Sequence, residues 1–336
     1  MNALRILFLQ PDFSSYPSGY YQQQFPMALR KIHQIFLYGP RYPGYEPQHT
    51  IDEVLKLCPF EPELICIGAG WERDDHPTEF NLHPAIRVGD VSIPCCMILN
   101  KEYKKLDQKL QFILDNKLQI VFTAHHNHSR WQEQLGVRFI HFPFAVDTSL
   151  FKDYGEPKRY DFGFSGSLHT NWTDLRLRVK QKLYWGGRFK YPRYWFHQIY
   201  WGDWDRGHKT GEDYARLINS SRMWLATTGA IDLVGTRFYE VMAVKSLLLC
   251  NRSPVYDGLF EDGQHCVMFA PDLSDFEEKF FYYLQQEEER QAIVSQAYRH
   301  VREKHTWDKR VEEFTQVIEQ HFFDRNSNSV AHGTSS

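Results

Sequence analysis

Short apolar runs bounded by polar or Gly/Pro turns recur along the first half of the chain. Residues 4–9 form one such run, ending at Gln10-Pro11-Asp12. Runs of this length, apolar at nearly every position, predict strands buried on both faces of a parallel sheet. The same pattern predicts strands at 35–38, 63–68, 96–99, 120–124 and 139–142, the second of these with Gly68-Ala69-Gly70 at its carboxyl end. Between them, helical spacing predicts helices at 25–35, 51–57 and 103–116. Strands alternating with helices imply a doubly wound α/β sheet, with ligands outside the carboxyl ends of the strands.

The segment 143–160 is polar and carries Pro143, Gly155 and Pro157, which reads as a linker. A second series follows. Strands are expected at 160–165, 223–226, 246–250 and 266–269, and helices at 173–184, 213–221, 275–285, 288–304 and 307–322. The last helix carries Val311, Phe314, Val317, Ile318 and Phe322 on one stripe. At 336 residues the chain exceeds the usual size of a single core, so two sheet domains are expected. Their boundaries are placed at 1–150 and 156–306, with a terminal helix at 307–324 and a Ser/Asn-rich disordered tail at 325–336.

Composition changes this picture little. A hydrophobic share of 42% with 24% charged residues is ordinary for a globular protein. The net charge of −3 argues against nucleic acid as a partner. Aromatics reach 16%, which suits sugar stacking as well as plain core. None of the six cysteines forms a Cys-x-x-Cys pair, and Cys66 and Cys250 lie in apolar runs, so buried thiols and a reducing compartment are expected. The first apolar run is too short for a signal segment or a membrane span. A cytoplasmic location follows as an expectation, with peripheral contact at the inner membrane face left open.

The candidate chemistry centres on Asp232-Leu-Val-Gly-Thr-Arg-Phe-Tyr-Glu240-Val-Met-Ala. Two acids stand eight residues apart across a Gly-Thr-Arg turn, and an apolar helical run, 238–249, follows. Thr236 is suited to cap that helix. The helix start then offers backbone N–H groups and a positive dipole end to an anion, with the Arg237 guanidinium beside it. Glu240 can accept two hydrogen bonds from a vicinal diol. A helix whose Glu merely complements the dipole gives the same sequence.

The pattern resembles the acid-x7-acid motif of retaining GT-B glycosyltransferases, in particular the group 1 branch that includes spore-maturation-type proteins. The resemblance is strongest over 160–322 and mainly topological over 1–150. His305-Thr-Trp-Asp-Lys-Arg310 is similar to the run that ends the group 1 domain. It implies the GT-B fold, two Rossmann-like domains facing a cleft, the first on the acceptor side and the second holding a nucleotide-sugar donor. It implies that Glu240 contacts the donor ribose and Asp232 lies near the donor sugar. Gly166 and Ser167, in the turn after strand 160–165, and Arg176 on the next helix would meet the diphosphate. Thr228 and Gly229, with Thr236 and Arg237, would complete the donor site. The sequence departs from the family in having Asp rather than Glu at 232 and Val244 where a Gly usually follows the Met-Ala pair. Only Gly19 remains of the Gly-rich loop that the family carries after its first strand.

His125-His126-Asn127-His128 ends strand 120–124. Adjacent histidines on an extended loop point in opposite directions, and no carboxylate or Cys lies at metal spacing, so no metal is expected there. The family places a His from this region near the sugar, which makes His125 a candidate, with loop histidines satisfied by water as the alternative. The resemblance implies sugar transfer to a hydroxyl of a glycan, glycolipid or protein with retained configuration and no obligate metal or other cofactor. The helix start, Arg237 and Arg176 would stabilise the leaving diphosphate, and domain closure would exclude water. A binding relic without turnover and a sugar-nucleotide epimerase on the same fold are the alternatives. Donor base, acceptor and oligomeric state are not legible.

Overall fold

The apolar runs of the first half become six strands of one parallel sheet among the residues that the computed structural model describes (3–14, 20–68, 86–168, 174–183, 192–202 and 209–323). These strands are β1 (Arg5–Leu9), β2 (Gln34–Tyr38), β3 (Leu64–Ile67), β4 (Cys95–Leu99), β5 (Ile120–Thr123) and β6 (Arg138–His141), in the order β2-β1-β3-β4-β5-β6. The backbone hydrogen bonds of β1, β3 and β5 lie in an interior from which water is excluded, which is why these strands are apolar at nearly every position.

Helices α1 (Tyr20–Leu29), α2 (Ile51–Leu57), α3 (Leu106–Asp115) and α4 (His128–Leu135) flank the sheet. The first lies five residues earlier than expected. Pro26 sits inside it, and the Gln22 carbonyl that Pro26 cannot bond accepts from the Gln10 Nε2 at 3.4 Å, so the helix passes through the proline. The third begins at Leu106 rather than 103, because Lys101 and Lys105 both hold positive φ angles of 51° and 47° that no helix accommodates. The fourth was not expected. Trp131 is its sole buried residue, so it presents no apolar stripe to read.

The second series gives β7 (Tyr160–Ser165), β8 (Ile199–Gly202), β9 (Ser221–Ala226), β10 (Leu247–Asn251) and β11 (Val267–Phe269), all parallel in the order β11-β10-β9-β7-β8. Its helices are α5 (Leu175–Leu183), α6 (Gly211–Asn219), α7 (Thr236–Ala243), α8 (Phe276–Gln285) and α9 (Glu287–Lys304). Strand β8 was missed, being a short edge strand rich in aromatics. The apolar run after Glu240 divides in two: α7 stops at Ala243, Lys245 turns the chain at φ 55°, and the rest is β10. In the middle of β7, a Cβ on Gly163 would lie 2.2 Å from the indole ring of Trp224, so only glycine lets that buried ring lie flat on the strand.

By contacts the chain divides into two compact units. One comprises Met1–Thr123, Asn127–Phe142 and Trp307–Ser336; the other comprises Ala124–His126 and Pro143–Thr306. The first unit therefore includes α10 (Trp307–Ile318), which packs on α1 with Phe314 against Phe25 and Phe122 at ring separations of 5.4 and 5.0 Å. A five-residue π-helical turn, Glu319–Phe323, ends the helical segment. The expected tail at 325–336 lies outside the described residues. Cys66 and Cys250 are buried free thiols, as are Cys95, Cys96 and Cys266. Among the described residues no helix is long and apolar enough to cross a membrane.

Candidate functional site

In the second sheet the strand order reverses at β7, so its topological switch lies between β7 and β9, and a crevice opens beyond their carboxyl ends. The turn after β7 begins with Gly166 at φ 138°. A side chain there would meet the Arg237 guanidinium, whose Nη2 lies 2.9 Å from the Cβ position. The glycine thus makes room for a cation.

Arg176, expected on the helix after β7 to meet the diphosphate, is buried at 6% exposure. Its Nε donates to Thr227 Oγ1 at 2.7 Å, its Nη1 to the Ser167 carbonyl at 2.8 Å and its Nη2 to the Thr227 carbonyl at 3.3 Å. One guanidinium thereby ties the turn after β7 to the end of β9. Every one of these acceptors is neutral. The guanidinium carbons of Arg176 and Arg237 lie 5.7 and 5.8 Å from the centre of the Phe164 ring. Burial, and then the charge of Arg237, push the pKa of Arg176 down to about 9, which leaves it cationic at neutral pH. Arg237 is held in turn by Tyr214, whose hydroxyl accepts from its Nε at 3.0 Å. Burial pushes the Tyr214 pKa up to about 12, so this hydroxyl stays neutral. Two cations held against one ring repel each other, and an anion bound between them would relieve that repulsion.

Helix α7 starts beside Arg237. Its N-cap is Gly235 in extended conformation, and no side chain caps the first turn. Thr236 is therefore the first helical residue rather than the cap, because the flexible glycine before it takes the non-helical φ/ψ. The first-turn amides and the dipole end consequently receive no side-chain oxygen from the cap position. Glu240 lies one turn further in, at 3% exposure.

Between β9 and α7 the chain makes a strained turn. Ile231 and Asp232 both hold left-handed φ angles, 52° and 58°, and for a β-branched residue this costs about 1–2 kcal/mol. Four bonds hold the turn in place. Thr228 Oγ1 donates to Asp232 Oδ1 at 3.3 Å, and the Thr228 amide donates to Asn251 Oδ1 at 3.2 Å. The Gly229 amide donates to the Leu233 carbonyl at 2.9 Å. His125 Nε2 lies 2.9 Å from the Ile231 carbonyl, which fixes the proton on that nitrogen. His125 thus contacts the residue immediately before Asp232. His125 and His126 do not point apart; their rings stack at 4.4 Å, because the backbone here turns instead of staying extended.

The expected residues accordingly fall into two adjoining groups joined through Thr227-Thr228. Gly166, Ser167, Arg176 and Arg237 gather at the start of α7. Thr228, Gly229 and Asp232 instead line a cavity of about 390 Å³ that also takes in Arg178, Asn251, Arg252 and Ser253. Glu240 does not line it. Sequence reasoning missed Tyr214, Asn251, Arg252 and Ser253. The run Asn251-Arg-Ser-Pro254 at the carboxyl end of a parallel strand was a legible signal for the last three. Gly19 lies outside the described residues. Among the described residues, no group of three or more His, Cys, Asp and Glu side chains is placed to hold a metal ion.

Residues 162–316 match the family model described as glycosyl transferase-like. No curated protein matches the chain. Among solved structures, HepE of Anabaena in complex with UDP superposes with a TM-score of 0.61 at 12% identity, covering 94% of this chain and 100% of that one. A glycosyltransferase from Rickettsia africae gives 0.61 at 10% identity over 95% and 99% of the two chains. Sucrose-phosphate synthase from Thermosynechococcus elongatus gives 0.60 at 9% identity over 94% and 98%. The chain therefore has the fold of the GT-B glycosyltransferases, and its second half, residues 162–316, is similar to the glycosyl transferase-like family.

Proposed function

We propose that the protein transfers a sugar from a nucleotide-diphosphate donor to an acceptor hydroxyl of a glycan, lipid-linked glycan or protein, with retention of configuration. One observation carries this reading. Arg176 and Arg237 are held against Phe164, beside a glycine turn and a helix start whose cap supplies no side-chain oxygen. That locus is built for a doubly charged oxyanion, and a diphosphate is the leaving group of sugar transfer. The match of residues 162–316 supports it. Structures of HepE with UDP and with UDP-glucose make uridine nucleotides the first donors to try.

In this mechanism charge develops on the diphosphate as the glycosidic bond breaks. Arg237 and the first-turn amides of α7 stabilise that charge, and Arg176 holds the β7 turn against β9 so that the donors stay aimed. This needs no obligate metal. Glu240 receives the ribose hydroxyls, and Asp232 stands by the sugar, aimed by Thr228. His125, whose Nε2 is bonded to the Ile231 carbonyl, fixes the turn that carries Asp232. We assign the reaction to the cytoplasm.

Turnover separates an enzyme from a binding relic. Release of UDP from UDP-sugars, with and without added acceptor glycans, should be detectable in the wild type. In Glu240→Ala it should fall by 10²-fold or more, on the order of 3 kcal/mol of transition-state stabilisation. Binding of nucleotide without release, in every donor and acceptor combination, would establish the relic instead.

A further inference from the structure

The cavity beside the diphosphate locus has a composition that the proposed reaction does not by itself explain. Its 390 Å³ lies within the range of roughly 300–1,000 Å³ typical of small-molecule sites. Its polar lining is strongly biased towards N–H donors. Asn251 is 6% exposed, and its Oδ1 accepts from both the Thr228 amide at 3.2 Å and the Tyr256 hydroxyl at 3.3 Å. That double acceptance sets the orientation of the amide and leaves its Nδ2 hydrogens without an acceptor among the described residues. Arg178 uses two of its five N–H groups, donating from Nε to Asp174 at 3.0 Å and from Nη2 to the Pro271 carbonyl at 2.8 Å. Arg252 uses one, in the ion pair of its Nη2 with Asp262 at 3.0 Å. The Ser253 hydroxyl accepts from the Val255 amide and keeps its own proton to donate.

Against these donors the lining sets a single carboxylate, Asp232. Its Oδ1 already accepts from Thr228, and its second oxygen is open to a ligand hydroxyl. Neutral sugar hydroxyls can accept from these groups, but only an anion makes the shorter, charge-assisted hydrogen bonds to the guanidinia. A ligand with hydroxyls for Asp232 and an anionic group for the guanidinia matches the whole lining. The ion pairs to Asp174 and Asp262 hold the two guanidinia in place while leaving most of their N–H groups available.

We infer that this cavity binds an acidic sugar, a hydroxylated ring bearing a carboxylate or a phosphate ester, with Arg178 and Arg252 as the residues that select the anion. The inference rests on the reading of this domain as a nucleotide-sugar site, whose sugar moiety it specifies.

Saturation-transfer NMR with free glucuronate, glucose and glucose 6-phosphate tests it on the intact protein. Glucuronate or glucose 6-phosphate, or both, should give at least a fivefold stronger response than glucose; the stronger of the two identifies the anion. The response should fall to the glucose level in the Arg178→Gln, Arg252→Gln double variant, with an unchanged melting temperature as the check on folding. If the double variant melts early, Arg252→Gln alone, at an exposed position, serves. Equal responses from glucose and the acids, no response from any of them, or an acid response that survives in the variants would overturn the inference. UDP binding measured on the same samples reports separately on the diphosphate locus, so a failed sugar selection and a failed donor reading are distinguishable.

Discussion

At the scale of single residues, close approach decides what the sequence tolerates. Gly163 lies under the Trp224 ring, and a methyl group there meets ring carbons at 2.2 Å. The ring is fully buried between neighbouring side chains, so it cannot swing away. Gly163→Ala should therefore destabilise the protein by about 1–3 kcal/mol in urea unfolding; an unchanged midpoint would contradict the packing described. Gly166 behaves differently, since the neighbour that its Cβ would meet is the movable end of Arg237. Gly166→Ala adds strain at a positive φ and displaces a cation. It should weaken nucleotide-diphosphate affinity by about tenfold, roughly 1.4 kcal/mol, which calorimetry can read. Neither constraint was visible in the sequence, because each depends on residues about 60 or 70 positions apart. The acid pair and Arg237 were visible, because helix starts and anion chemistry leave a local signature.

At the scale of elements, the buried strands were legible and the amphipathic or edge elements were not. Strands β1, β3, β5 and β10 are apolar at almost every position, as are residues 223–226 of β9, and each was anticipated to within about two residues. Helix α4 and strand β8 bury little, so the hydrophobic pattern that marks an element is missing there. Helix α7 was located, but its cap was not: Thr236 has the better capping chemistry, while Gly235 has the backbone freedom to take the cap's conformation. Helix α10 carries a prediction of its own. Phe314 is fully buried against Phe25 and Phe122, and Phe314→Ala should cost about 3–5 kcal/mol. His33 fastens the same helix to the sheet. Its Nδ1 accepts from the Leu4 amide at 3.1 Å, so its Nε2 carries the proton and donates to Thr315 Oγ1 at 2.8 Å.

At the scale of the whole molecule, pH links these contacts to stability. Burial lowers the pKa of His33, with Glu319 opposing, and burial likewise lowers those of His265 and His300. Each of these rings is favoured as the neutral form in the folded state. Above the unfolded value of about 6.5 they contribute no pH dependence. As pH falls through that value the unfolded chain takes up protons that the folded rings resist, and stability is lost. The melting temperature should therefore drop between pH 7 and pH 5, and His33→Gln should reduce the drop. A melting temperature that rises over this interval would contradict the assignment of neutral buried rings. The arrangement of two doubly wound sheets was readable from alternating strand and helix patterns, whereas the pairing of strand ends that brings Thr227 to Arg176 and Asn251 to Thr228 was not.

The proposed diphosphate site consists of Arg176, Arg237 and the start of α7. Isothermal titration with UDP, GDP, ADP, TDP and CMP on the wild type and on Arg237→Ala tests it most directly. The account predicts that one or more of the nucleoside diphosphates bind, with CMP weaker than these, and that Arg237→Ala weakens that binding by at least tenfold, about 1.5–3 kcal/mol for a charge-assisted contact. Absence of binding by all of them, or equal affinity in the variant, would contradict it.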